Sequence, residues 1–232
     1  MLKFSKNTLA STIVATGLAI ASAAVAPESN ATQIIGFGQT STANTVVVTN
    51  TTATTSTIAI NNASALITNF LAGGFVGTMA FVNLSATSTP PGIILGAGGL
   101  FDQHFTGSFC VSSLANCTGT RLLYGSFIDD LSGVIGGSSE TLSATTPPPG
   151  SLLFFSDVLT AAQLGLERGL AFSFSNVTPV NAVCGATICS NTSSFTGTAS
   201  ANNNVILVPE PGTLALMGIA LAGLGFARRK QV

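Results

Sequence analysis

The chain has 232 residues, of which 46% are hydrophobic and only 6% are charged, against about 25% charged in an ordinary globular domain. Lys3 and Lys6 sit at one terminus and Arg228, Arg229 and Lys230 at the other, so positions 27–208 hold two bases, Arg121 and Arg168, against seven acids, a net −5. That balance excludes nucleic acid as a partner, because displacing phosphate counterions needs clustered cations, and a neutral Thr, Ser and Asn surface suits an extracytoplasmic protein.

Residues 1–31 begin with a Lys-flanked start, continue through an apolar run from Leu9 to Ile20, and end in small residues. This is the layout of a secretory signal peptide, with cleavage expected between 23 and 31. The run is too short to span a bilayer comfortably. Residues 39–57 carry nine Thr in nineteen positions, which reads as a polar edge strand pair or as a surface segment open to O-glycosylation.

Period-2 alternation then dominates. It places Phe75, Gly77, Met79 and Phe81 on one strand face, Phe101, Phe105 and Phe109 on another, and Phe172 and Phe174 between serines; such alternation predicts half-buried antiparallel strands. Turns are expected at "TPPG" (89–92), "GVIGG" (133–137) and "TPPPG" (146–150), and a short helix near 157–164 capped by Asp157. The echo "FTGSF", "LYGSF" and "FTGTA" puts Gly107, Gly125 and Gly197 beside hydroxyl residues, marking strands that another backbone approaches closely.

Four cysteines fit an oxidising compartment. Local pairing of Cys110 with Cys117 and of Cys184 with Cys189 closes two short loops, with cross-pairing as the alternative. Neither spacing is that of zinc ligands. Together these features predict one all-β domain over 32–207, an antiparallel β-sandwich of jelly-roll-like type, flanked by the signal peptide and a C-terminal transmembrane helix at 213–227.

The tail carries the most specific signal. Pro209 and Pro211 bracket Glu210 and hold the tripeptide extended, since neither proline donates a backbone hydrogen bond. Thr213 to Ala227 is uncharged and as a helix reaches about 22 Å, short of a hydrocarbon core of about 30 Å. The basic cluster Arg228, Arg229 and Lys230 predicts a cytoplasmic end.

Val208-Pro209-Glu210-Pro211-Gly212, the short Gly/Ala/Leu helix and the terminal bases resemble the PEP-CTERM sorting signal. The resemblance covers residues 208–230 and identifies an address, with the motif at Pro209, Glu210, Pro211 and Gly212. It implies export across the inner membrane of a Gram-negative bacterium and a membrane-anchored intermediate. An exosortase-type membrane protease then processes the chain, which ends at the cell surface or outside the cell, with exopolysaccharide as a possible companion. The plainer reading is a single-pass membrane-anchored protein.

Candidate chemistry in 32–207 is sparse. Asp102 and His104, two apart, share a strand face and could begin a metal site. Asp129 and Asp130, with Glu140 or Asp102, are the available carboxylate pairs; with Asp157 they also offer the hard oxygens calcium prefers. No G-x-S-x-G elbow accompanies the single histidine. We therefore expect no enzyme, no cofactor and no resident metal. The expected role is structural or adhesive and non-catalytic, with a carbohydrate- or ice-binding module as the alternative.

Overall fold

A computed structural model describes residues 31–146 and 152–202. The signal peptide, the "PPPG" of the third turn, the sorting motif and the segment 213–227 lie outside the described residues. No helix among those described is long and apolar enough to cross a membrane.

The strands run in chain order as β1 (Thr32–Gln39), β2 (Val46–Thr52), β3 (Thr55–Phe70), β4 (Met79–Leu95), β5 (Leu100–Leu114), β6 (Thr118–Val134), β7 (Ser139–Thr145) and β8 (Leu152–Phe155). A one-turn helix α1 (Ala161–Leu164) precedes β9 (Glu167–Thr178), the small hairpin β10 (Val183–Cys184) and β11 (Thr187–Ile188), and finally β12 (Asn191–Asn202). All pairings are antiparallel.

The ten strands other than the small hairpin form one sheet that closes on itself. β1 and β2 lie end to end between β12 and β3, each pairing with both. β7 and β8 likewise continue each other along β6, so the ten strands trace eight antiparallel lines. β9 joins β7 to β12 and completes the ring. The all-β antiparallel expectation therefore holds, and opposite sides of the closed sheet share one core. The connectivity differs from a jelly roll. Each line pairs with its predecessor and successor in the chain, because the connections are short hairpins with no long crossing segment. Closure also leaves β2 paired on both sides, correcting its reading as part of an edge pair, and removes the exposed edges that an open sheet must protect.

Alternation sets the inward face. Ile58, Ile60, Ala63, Ala65 and Ile67 of β3 are buried, as are Phe101, Phe105 and Phe109 of β5 and Phe172 and Phe174 of β9. In β4 the inward set is Ala80, Val82, Leu84 and Ala86, the opposite parity to the Met79 and Phe81 face expected; Phe75 and Gly77 belong to the preceding turn. "TPPG" does not separate strands either. It lies inside β4, where the register jumps from Ser88 opposite Phe105 to Ile93 opposite Gln103, because the prolines cannot donate to the ladder.

Gly107 and Gly125 are approached closely by backbone as expected, whereas Gly197 is approached by a side chain. A Cβ on Gly197 would clash with the edge of the Phe37 ring, and one on Gly125 would collide with the Leu153 carbonyl of β8. Phe172 is the hub of the aromatic core, edge-on to Phe37 at 5.7 Å and to Phe109 at 6.3 Å, and stacked on Phe174 at 6.4 Å. The helix starts three residues later than predicted. Thr160 is its N-cap in a reciprocal capping box with Gln163, which frees Asp157 for another role.

Candidate functional site

Part of the outward surface of β2 to β6 and β8 carries rows of uncharged residues in register. Thr49 pairs with Thr57, Thr57 with Thr87 and Thr87 with Thr106, a row of threonines across four strands. The next row is Ser85, Ser108 and Ser126. A third runs Asn83, Cys110, Tyr124 and Phe155. The alternation of apolar and hydroxyl residues within each strand makes these rows unavoidable once the strands pair, because every second residue faces outward.

Two local devices turn the second and third rows into a groove. β3 carries a bulge where the register jumps from Ile60 to Ala63, and Asn62 there has a left-handed φ of 51°. The bulge re-aims the chain so that the Asn62 N–H donates to Asn83 Oδ1 at 3.1 Å and Asn62 Nδ2 donates to Asn116 Oδ1 at 2.6 Å. Asn116 sits in the turn Ala115–Cys117, which the Cys110–Cys117 disulfide ties back over β5. The resulting groove has a volume of about 510 Å³ and is lined by residues that include Asn61, Asn83, Ser85, Ser108, Tyr124 and Phe155, none of its lining residues being charged.

At one end Tyr124 stacks on Phe155 with ring centroids 5.5 Å apart and an interplanar angle of 29°. Phe155 remains 49% exposed, an apolar ring presented to solvent. The Arg121 guanidinium lies 4.0 Å from the Tyr124 ring centroid and is neutralised by Asp157. Arg121 Nε and Nη2 donate to the two carboxylate oxygens at 3.1 and 2.9 Å, and the Arg121 backbone N–H donates to Oδ2 at 2.9 Å. These bonds hold the Asp157 carboxyl below its usual range and raise the Arg121 pKa further. Asn83 lines the groove, and its buried Nδ2 has no hydrogen-bond partner.

The other predicted residues fall elsewhere. Cys110–Cys117 and Cys184–Cys189 are both bonded, as the local pairing anticipated. Asp102 and His104 do share the outward face of β5, but His104 Nδ1 pairs with Asp130 of β6 while Asp102 lies opposite Ser132. Among the described residues no three His, Cys, Asp or Glu side chains gather to hold a metal. Asp129 pairs through its backbone with Phe105, and its side chain is outside the described structure. Glu140 is buried to 3% exposure, away from the outward His104–Asp130 pair. Asp157 is paired with Arg121.

The groove itself was not visible in the sequence. Its one local signal was "LYGSF", which holds the only tyrosine of the chain; the partners come from β3, β4, β5 and β8 and meet only through register.

Residues 207–230 match the family model for the PEP-CTERM protein-sorting motif. No curated protein and no solved structure matches the chain. The motif covers the expected tail, including Pro209, Glu210, Pro211 and Gly212, and implies an exported protein sorted by exosortase, a membrane protein.

Proposed function

We propose, for a chain whose residues 207–230 carry the PEP-CTERM protein-sorting motif, a non-catalytic adhesive role at the cell surface or in the extracellular matrix, exercised by holding neutral polysaccharide in the β3–β6/β8 groove. The observation that carries this reading is the pairing of a half-exposed aromatic ring, Phe155 stacked on Tyr124, with uncharged amides and hydroxyls along one groove. Sugar rings present apolar C–H faces and hydroxyl edges. An aromatic face takes the first, and Asn83 Nδ2, Asn61 and the Ser85/Ser108/Ser126 row suit the second. The absence of charged residues from the lining favours a neutral chain over a polyanion. The groove lies within the usual size range of small-ligand sites.

Ice binding draws support from the four-threonine row alone, and one row is narrower than a flat two-dimensional array. A plain single-pass anchor remains the alternative fate of the tail. Intact mass of protein recovered from membranes and from medium separates the two, since sorting removes both the signal peptide and the segment after about Pro209. For the groove, affinity electrophoresis of the full-length protein against neutral polymers and polyanions is the test. Tyr124→Ala and Phe155→Ala should each weaken retention by a neutral polysaccharide about tenfold, equivalent to about 1.4 kcal/mol, without changing the melting temperature by more than a few degrees. Retention by no neutral polymer, or unchanged retention in both variants, removes the reading.

A further inference from the structure

The end of the closed sheet nearest the β6–β7 turn holds a cluster of polar side chains that the groove does not use. Glu140 of β7, Asn191 and Ser193 of β12, and Asn181 of the segment before β10 are 3%, 4%, 0% and 1% exposed. Six of their atoms lack a hydrogen-bond partner: both Glu140 carboxylate oxygens, Asn181 Oδ1, Asn191 Oδ1 and Nδ2, and Ser193 Oγ. Folded proteins leave few buried polar atoms unpaired, so such a group calls for a specific explanation.

Of these side chains, Asn181 is fixed by neighbouring bonds. Asn181 Nδ2 donates to the Ser139 carbonyl at 3.0 Å and to the Val134 carbonyl at 3.4 Å, which fixes its Oδ1 beside the start of β7. Glu140 pairs across the sheet with Gly133, whose missing Cβ would lie 3.1 Å from that same Asn181 nitrogen. The Asn191 amide lies against the Glu140 carboxyl and limits the rise in its pKa, although neither group completes a hydrogen bond of ordinary geometry. Ser193 follows two positions along β12, on the same inward face.

We infer that Glu140, Asn181, Asn191 and Ser193 form a binding site for a small hard cation, with calcium as the probe. Five of the six unpartnered atoms are oxygens, and carboxylate, amide carbonyl and hydroxyl oxygens are the donors calcium takes. A cavity of about 400 Å³ between the ends of β5, β6 and β7 is lined by residues that include Glu140 and the exposed Asp102. Burial pushes the Glu140 carboxyl up to about 7, and a bound cation removes the penalty that burial places on its charged form. With a single carboxylate the site belongs to the weak class, with Kd of about 10⁻⁴ to 10⁻³ M, the range of extracellular modules.

The experiment is a calcium titration of the chelator-treated full-length protein in detergent at pH 8, read by calorimetry and by melting temperature. Calcium at about ten times Kd should raise the melting temperature by about 3 °C, and Glu140→Gln should abolish both the heat of binding and the shift. Asn191→Asp adds a second carboxylate and should tighten binding about tenfold or more, which keeps the test open if Glu140→Gln fails to fold. No shift in the natural protein, or an equal shift in Glu140→Gln, overturns the site and leaves water as the partner of these buried groups.

Discussion

The two ends of the sheet interior are sealed by different chemistry. Around Phe172 the core is aromatic and aliphatic, with Phe37, Phe109, Phe154 and Phe195 in edge-on or tilted contact. Toward the β6–β7 turn the same inward positions become Ser56, Gln103, Glu140, Asn191 and Ser193. There the segment 179–190 folds over the opening as a plug: Thr187 and Ile188 are fully buried, Gln103 Nε2 donates to Thr187 Oγ1 at 2.6 Å, and the Ile188 N–H donates to Gln103 Oε1 at 3.0 Å. The apolar end gains its stability from area removed from water, which needs no particular partner. The polar end is stable only to the extent that each buried group is matched. Gln103 is matched and Glu140 is not, so the two ends should respond differently to substitution and to pH.

The largest expected effect tests the apolar end. Phe172→Ala removes the hub ring and should cost about 3–5 kcal/mol, by lost transfer energy and the cavity left behind, at every pH; denaturant unfolding measures it. A loss below about 1 kcal/mol would mean that the surrounding phenylalanines are not a close-packed core.

The polar end should show the reverse sign and a pH dependence. Glu140 has a folded-state pKa of about 7 against 4.5 unfolded, so the folded chain holds its proton more tightly. The Glu140 contribution to stability is therefore greatest below about pH 4.5, declines as pH rises through about 7, and levels off above it, a total of about 3 kcal/mol. In chelator, Glu140→Gln should flatten this decline and stabilise the protein at pH 8 by up to that amount. An unchanged pH profile in the variant would locate the titrating group elsewhere.

The smallest of the three effects sharpens the contrast at the plug. The Cys184–Cys189 bridge has a sequence separation of only 5, so replacing both cysteines by Ser should cost about 2 kcal/mol by the loop-entropy rule. Hydrogen exchange should accelerate in residues 179–190 and leave the amides around Phe172 protected. Uniform acceleration through the whole sheet would show that the plug is not a separable unit.

The sequence by itself determined the inward and outward faces of most strands, since period-2 alternation is local. It also favoured both disulfides over cross-pairing, because short spacing favours closure between neighbours, and it marked close-approach glycines and the sorting tail, whose signal is contiguous. It misread β4, where Phe81 outscored the smaller Ala80 and Val82 that the interior admits, and it assigned the helix cap to Asp157 although Arg121 of β6 claims that carboxylate. Closure of the sheet, the groove and the Glu140 cluster were decided only by tertiary structure. Alternation says which face a residue takes but not which strand lies beside it. Asn83, Cys110, Tyr124 and Phe155 share a row through pairings with distant partners, and Glu140 meets Asn191 because β9 and β12 bring the end of the chain back to β7.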